Sequence, residues 1–286
     1  MKKISFEGFM KGVFMLCATT SILAIILICY FIFSGGVPFI LEYGLKEFLL
    51  GTSWRPSNTP PAFGILPMIF GSLVMTLVAV VLGVPIGVLT ATYLAKFCDK
   101  RLYKILKPCI NLMAGIPSIV YGFFALVVIV PLMKDVFGGT GMNIITASIL
   151  LAIMILPTII GLSESSIKSV PNSYYEGSIG LGASHERAVM TVVLPAAKSG
   201  IISSIILGVG RAIGETMAVI LVAGNQPRIP NSLTKGVRTL TTNIVLEMAY
   251  AADAHREALI ATAVVLFVFI LLINAIFLIV KRRTLN

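Results

Sequence analysis

Long apolar runs separated by short polar or basic stretches set the pattern of this chain. Mainly apolar residues fill 13–33, 68–94, 109–133, 144–162, 196–222 and 258–280. A helix needs about 20 such residues to cross the hydrocarbon core of a bilayer, so each run is read as one crossing, with 144–162 the shortest. Barrel strands would alternate apolar and polar positions over about ten residues, whereas these runs are apolar on all sides. The pattern predicts an all-α polytopic membrane protein with about six transmembrane helices. Two longer connections, 34–67 and 224–257, fall on a common side. The first holds Pro38, a short amphipathic run through Leu50 and the Pro60-Pro61 pair, and is expected to lie along the interface. In the second, Thr239-Leu240-Thr241-Thr242-Asn243 reads as the start of a re-entrant or surface helix.

Between Ser173 and Pro195 the chain turns polar and helix-patterned, then returns at once to apolar sequence. Ser173 and Glu176 have capping-box spacing, which predicts a short helix from Tyr174. Gly180 and Gly182 let the backbone leave helical geometry without a Cβ penalty. Ser184 then offers a second N-cap, with Glu186 near the positive end of the next helix dipole. Two short helices joined at a glycine elbow are expected.

Composition agrees with the membrane assignment: 57% of residues are hydrophobic and only 12% charged, against about 25% charged in soluble domains. The net charge of +10 is distributed unevenly. Lys2, Lys3 and Lys11, then Lys96, Lys100, Arg101, Lys104 and Lys107, then Lys168, Arg187 and Lys198, and finally Lys281, Arg282 and Arg283 all fall on one side of the predicted spans. The positive-inside rule makes that side cytoplasmic, which places both termini and the elbow in the cytoplasm of a multi-pass plasma or inner-membrane protein. Attraction to anionic lipid accounts for the basic balance, and no nucleic-acid partner is expected. The first run is longer than a signal-peptide core and lacks an Ala-x-Ala exit, so it is read as an uncleaved helix. Cys17, Cys29, Cys98 and Cys109 form no CxxC pair, and His185 and His255 fall on opposite sides, so neither disulfide nor metal site is predicted.

Arg211 and Glu215 lie inside the fifth run. An arginine at the centre of a membrane helix costs about 2.5–3.5 kcal/mol on insertion scales, a cost that implies a use. Four residues apart on one helix, the two side chains are expected to share a face and pair. Gly208, Gly210, Ala212 and Gly214 surround them with small side chains, leaving room for another helix or a solute. A guanidinium gives paired hydrogen bonds to two oxygens at once, which suits a tetrahedral oxyanion. A buried ion pair that only fixes helix register is the competing reading.

Glu176-Gly177-Ser178, then Gly182, then Val192-Val193-Leu194-Pro195 resembles the EAA loop of ABC importer permeases, with Gly177 and Ser178 in place of two alanines. Arg211-Ala212-Ile213-Gly214-Glu215-Thr216-Met217-Ala218-Val219 and Gly115-Ile116-Pro117-Ser118-Ile119-Val120-Tyr121-Gly122 are similar to segments of phosphate ABC importer permeases, more closely the PstC type than the PstA type. Trp54-Arg55-Pro56 fits the same pattern, and the resemblance runs from about Pro67 to the C-terminus. It implies a type I importer permease of MetI-like fold. Residues 1–66 would form an N-terminal helix with an extracytoplasmic segment, and 67–286 the permease domain with its coupling loop at 173–195. Implied partners are a PstA-type permease, PstB-type ATPase subunits and an extracytoplasmic PstS-type phosphate-binding protein. Glu176, Gly177, Ser178, Gly182, Leu194 and Pro195 would couple to the ATPase. Arg211, Glu215, Thr216 and Ser118 would line the substrate path. Gly138-Gly139-Thr140-Gly141 has no following lysine and is no P-loop, so ATP and Mg are expected on the partner, and this chain has no catalytic residues of its own. Permeases for sulfate or molybdate, and an ATP-independent secondary transporter, are the alternatives.

Overall fold

The structure, a computed structural model, describes residues 6–285. Lys2 and Lys3 lie outside the described residues, as do the side chains of Lys281, Arg282 and Arg283. Most of the described residues are helical. Helix α1 (Phe6–Tyr43) and the short α2 (Leu45–Leu50) lead to a two-stranded antiparallel ribbon, β1 (Trp54–Arg55) with β2 (Ala62–Phe63). Helix α3 (Leu66–Thr92) continues through a π turn (Tyr93–Phe97), and α4 (Lys100–Gly115) follows. Helices α5 (Ser118–Phe124) and α6 (Val130–Phe137) are joined by a second π turn into one span, before the 25-residue α7 (Ile144–Lys168). Then come α8 (Asn172–Gly180), α9 (His185–Ala188), a third π turn (Val189–Val193), α10 (Leu194–Ala196) and α11 (Lys198–Gly214). The chain ends with α12 (Met217–Val222), α13 (Leu240–Glu247) and α14 (Asp253–Leu285).

Among the described residues, five continuous helical segments are long and apolar enough to cross a membrane, and a sixth crossing is available if the pair His185–Ala196 and Lys198–Gly214, bent by 68°, counts as one. Helix α7 is the axis: α3 and α11 pack along it, while α1 and α14 pair at the periphery. Between lipid-facing helices there is little water to expel, so close packing and interhelical hydrogen bonds drive association. The sequence of α7 serves that need. Leu150, Leu151, Met154, Ile155 and Ile159 are buried, Ser148 donates to the Met75 carbonyl of α3 at 3.1 Å, and Ser163 shares a 2.6 Å hydrogen bond with Ser204 of α11.

Four expectations about the spans need correction. The third span does not begin near residue 109: α4 ends at Gly115, and the span starts at Ser118. Pro117 disfavours helical geometry at the residue before it, and Ile116 is extended, with ψ 127°. The fourth run is not short, because helix continues through Ser163-Glu164-Ser165-Ser166 to Lys168. That polar end is stabilised by partners described below. The fifth run is not one helix: α11 stops at Gly214 and α12 begins at Met217. The first helix also runs through Pro38 to Tyr43, beyond the apolar run that predicts it.

Candidate functional site

The break after α11 determines what Arg211 and Glu215 do. Glu215 is extended (φ −68°, ψ 131°), so the four-residue helical spacing to Arg211 no longer aligns them. Among the described residues the two form no ion pair, which overturns the expected pairing. The Glu215 carboxylate turns instead toward α12 and accepts from the Ala218 backbone N–H at 3.3 Å, while its carbonyl accepts from Thr241 of α13 at 3.1 Å. Thr216 donates to the Gly214 carbonyl at 3.1 Å. Arg211 is half-buried and within electrostatic reach of the Tyr121 hydroxyl, which donates to the Met113 carbonyl at 2.9 Å.

A second break lies beside the first, because α5 packs against α12. Gly122 makes this possible: a Cβ there would stand 2.8 Å from the Ala218 Cα. Ser118, half-buried, is the first residue of α5, just after Pro117. No side chain caps α5; the Val120 N–H donates to the Pro117 carbonyl at 3.0 Å, which leaves the N–H groups of Ser118 and Ile119 to a ligand or solvent. The fold thus gathers Arg211, Glu215, Thr216 and α5 around two interrupted helices.

The polar stretch folds as two short helices meeting at Gly182, whose φ of +87° suits glycine. Ser184 caps the second helix, accepting from the Arg187 N–H at 3.4 Å. The Ser173–Glu176 capping box does not form. Helix α8 starts at Asn172 after Pro171, with no side-chain cap, because proline fixes the first turn before Ser173 is reached. Glu176 and Gly177 are exposed on α8 and Ser178 is half-buried; Leu194 is half-buried and Pro195 exposed beyond α9. Leu181 at the elbow tip is 92% exposed. His185, read from sequence only as a lone histidine, binds Tyr175 and the Lys96 carbonyl.

Two buried carboxylates escaped sequence reasoning. Glu164, near the elbow end of α7, accepts from Lys107 (2.6 Å), Lys168 (2.7 Å) and Tyr103 (2.7 Å), which ties α4 to α7. At the opposite end Glu247 accepts from Trp54 Nε1 (2.8 Å), Arg238 Nη1 (2.5 Å) and His255 Nε2 (2.8 Å). Burial alone would raise the Glu247 carboxyl, but those three donors and the Arg238 charge outweigh it and hold the group below the ordinary carboxylate range. Burial and the Glu247 charge push the neighbouring Tyr250 phenol up. The signal available in sequence was an acid flanked by apolar residues, as in Ile244-Val245-Leu246-Glu247-Met248.

Known proteins share this architecture. The chain is 36% identical over 267 residues to the probable ABC transporter permease protein YqgH of Bacillus subtilis, covering 90% of this chain and 86% of that protein. It is 32% identical over 266 residues to the phosphate transport system permease protein PstC of Mesorhizobium japonicum, covering 86% and 80%. In fold it matches a chain of the MetNI methionine ABC transporter in an inward-facing conformation, with TM-score 0.63, 20% identity and coverage of 77% and 95%. It also matches a chain of a bacterial alginate ABC transporter, with TM-score 0.67, 15% identity and coverage of 98% of both chains. The sequence model for the binding-protein-dependent transport system inner membrane component matches residues 83–286, and this multi-pass membrane protein belongs to that family, the permeases of ABC importers.

Proposed function

We propose that this chain is the PstC-type permease of an ATP-driven importer of inorganic phosphate. One observation carries the reading: Arg211, a half-buried guanidinium beside an interrupted membrane helix, takes no ion-pair partner among the described residues. A charge in that position is tolerated where it meets water or an anionic solute. Its planar donors match two phosphate oxygens. The name of the Mesorhizobium relative supports phosphate as the oxyanion.

In this reading Arg211, Glu215, Thr216 and Ser118 line the path, and residues 67–286 act as the permease domain behind the helix and outer segment of 1–66. The elbow, with Glu176, Gly177, Ser178, Gly182, Leu194 and Pro195, docks on a PstB-type ATPase that holds ATP and Mg. A PstA-type permease completes the path, and a PstS-type binding protein delivers phosphate to the outer ends. Both termini are cytoplasmic. ATP-driven closure moves the elbow, and the path opens alternately to each side.

The test is radiolabelled phosphate uptake by the assembled transporter in proteoliposomes, with sulfate as competitor. ATP-dependent uptake is expected to resist excess sulfate and to fall at least about tenfold in Arg211→Ala, equivalent to about 1.4 kcal/mol or more. Arg211→Lys should recover only part, having charge without the paired donors. Uptake that sulfate displaces as well as phosphate does, or that survives Arg211→Ala at equal membrane abundance, would overturn the reading.

A further inference from the structure

The π turn that follows α3 ends at Phe97, and the carbonyl of Lys96 just before it is one of those that a helix terminus leaves without an intrahelical partner. His185 fills it. Its Nε2–H donates to the Lys96 carbonyl at 3.1 Å, and its Nδ1 accepts from the Tyr175 hydroxyl at 2.8 Å. A proton on Nε2 satisfies both bonds with a single tautomer. The ring also stands edge-on to Phe97 (4.8 Å between centroids) and to Tyr175 (5.5 Å). The Lys96 ammonium lies 5.8 Å from the Tyr175 ring centroid.

Tyr175 is on the first arm of the elbow and His185 opens the second, whereas Lys96 and Phe97 end the α3 span. One imidazole therefore joins both arms to a helix that is remote from them along the chain. Covalently, the elbow leads only into α7 and α11. We infer that His185 is a positioning residue that fastens the elbow to α3, so that elbow motion also drives this third helix.

Helix α3 reaches the other end of the bundle. There Ser72 accepts from the Leu240 backbone N–H at 3.0 Å, and the adjacent Thr241 holds the Glu215 carbonyl at the helix break. A displacement entering at His185 is thus delivered along a packed helix to the segment seated over the Arg211 region. The transport consequence rests on the reading of the elbow as the ATPase docking site. The fastening itself does not.

The experiment accordingly has two readouts. Spin labels at Asp99→Cys and Leu181→Cys, in a background otherwise free of cysteine, report the distance between the end of α3 and the elbow tip in the purified chain in bilayers. One narrow distribution is expected, with a broader or shifted one in His185→Ala. In the assembled transporter, His185→Ala should hydrolyse ATP within twofold of wild type yet import at least tenfold less phosphate per ATP. His185→Gln, which keeps one donor, and Tyr175→Phe, which removes only the hydroxyl, should fall between; they decide the matter if the alanine variant does not assemble. Distance distributions unchanged in these variants would overturn the fastening. A phosphate-to-ATP ratio within twofold of wild type in all of them would overturn its role in transport. Absence of phosphate uptake in wild type would sink the functional reading, with the distance measurement still deciding the fastening.

Discussion

At Glu247 a buried carboxylate gathers an indole, a guanidinium and an imidazole from separate parts of the chain, and the cost of desolvation is offset only while it stays ionised. An unfolded glutamate titrates near pH 4.3, and the folded group titrates lower. Its contribution to stability is therefore complete above about pH 4.3 and is lost as the pH falls through the folded value. Glu247→Gln should cost about 1.5–3 kcal/mol at neutral pH, the range for hydrogen bonds to charged groups. Thermal unfolding in detergent would check this, with the difference between variant and wild type narrowing as the pH drops below about 4.3. A difference that does not change with pH would show that ionisation of Glu247 is irrelevant. Glu215 calls for a separate comparison, since its carboxylate acts here as a cap. Glu215→Ala should lose about 1 kcal/mol, the typical net worth of one hydrogen bond, whereas Glu215→Gln keeps an oxygen for the Ala218 N–H and should unfold close to wild type.

Single helices were legible in the sequence where apolarity decided them, and their interruptions were not. A proline or glycine in an apolar run is compatible with a kink, a packed contact or a full stop. At Pro117 and at Gly214-Glu215 the outcome is a full stop, and nothing local to Arg211-Ala212-Ile213-Gly214-Glu215 distinguishes one helix from two. The elbow was better marked, because Gly182 and Ser184 carry conformational and capping preferences of their own, although Pro171 displaced the start foreseen at Tyr174. The contacts of Glu164 span 57 and 61 residues to Lys107 and Tyr103, and no sequence period encodes a partner at that range. Packing between α5 and α12 gives the matching test at this scale. In Gly122→Ala the new methyl group would meet backbone 2.8 Å away, so a loss of about 1–3 kcal/mol is expected from overpacking. Gly161→Ala in α7 meets nothing within 4 Å and should be neutral or stabilising by up to about 1 kcal/mol through helix propensity. Equal melting temperatures for the two variants would contradict the tight α5–α12 contact.

Across the whole molecule the two carboxylate clusters lie toward opposite ends of α7, Glu164 on the helix itself and Glu247 linked to its start only through the segment 235–238. Glu164 lies four residues from the end of α7 at Lys168. At the other end the Ile144 N–H donates to the Lys235 carbonyl, in the segment that leads to Arg238 and so to Glu247. The rise along α7 from Ile144 to Glu164 is about 30 Å, well beyond the 7–10 Å within which neighbouring substitutions interact. If each cluster only fastens its own end, Glu164→Gln and Glu247→Gln should add in the double variant to within about 0.5 kcal/mol. If α7 and its neighbours behave as one rigid column, releasing one end should lower the cost of releasing the other, and the double variant should be more stable than the sum by more than that margin. The small and hydroxyl side chains between the clusters, such as Ala147, Ser148 and Ala152, allow helices to slide against one another as well as to pack. The alternating cycle proposed above needs ends that are fixed locally and a middle that can shear, so additivity is the expected result. Thermal denaturation of the four proteins in one detergent would measure it.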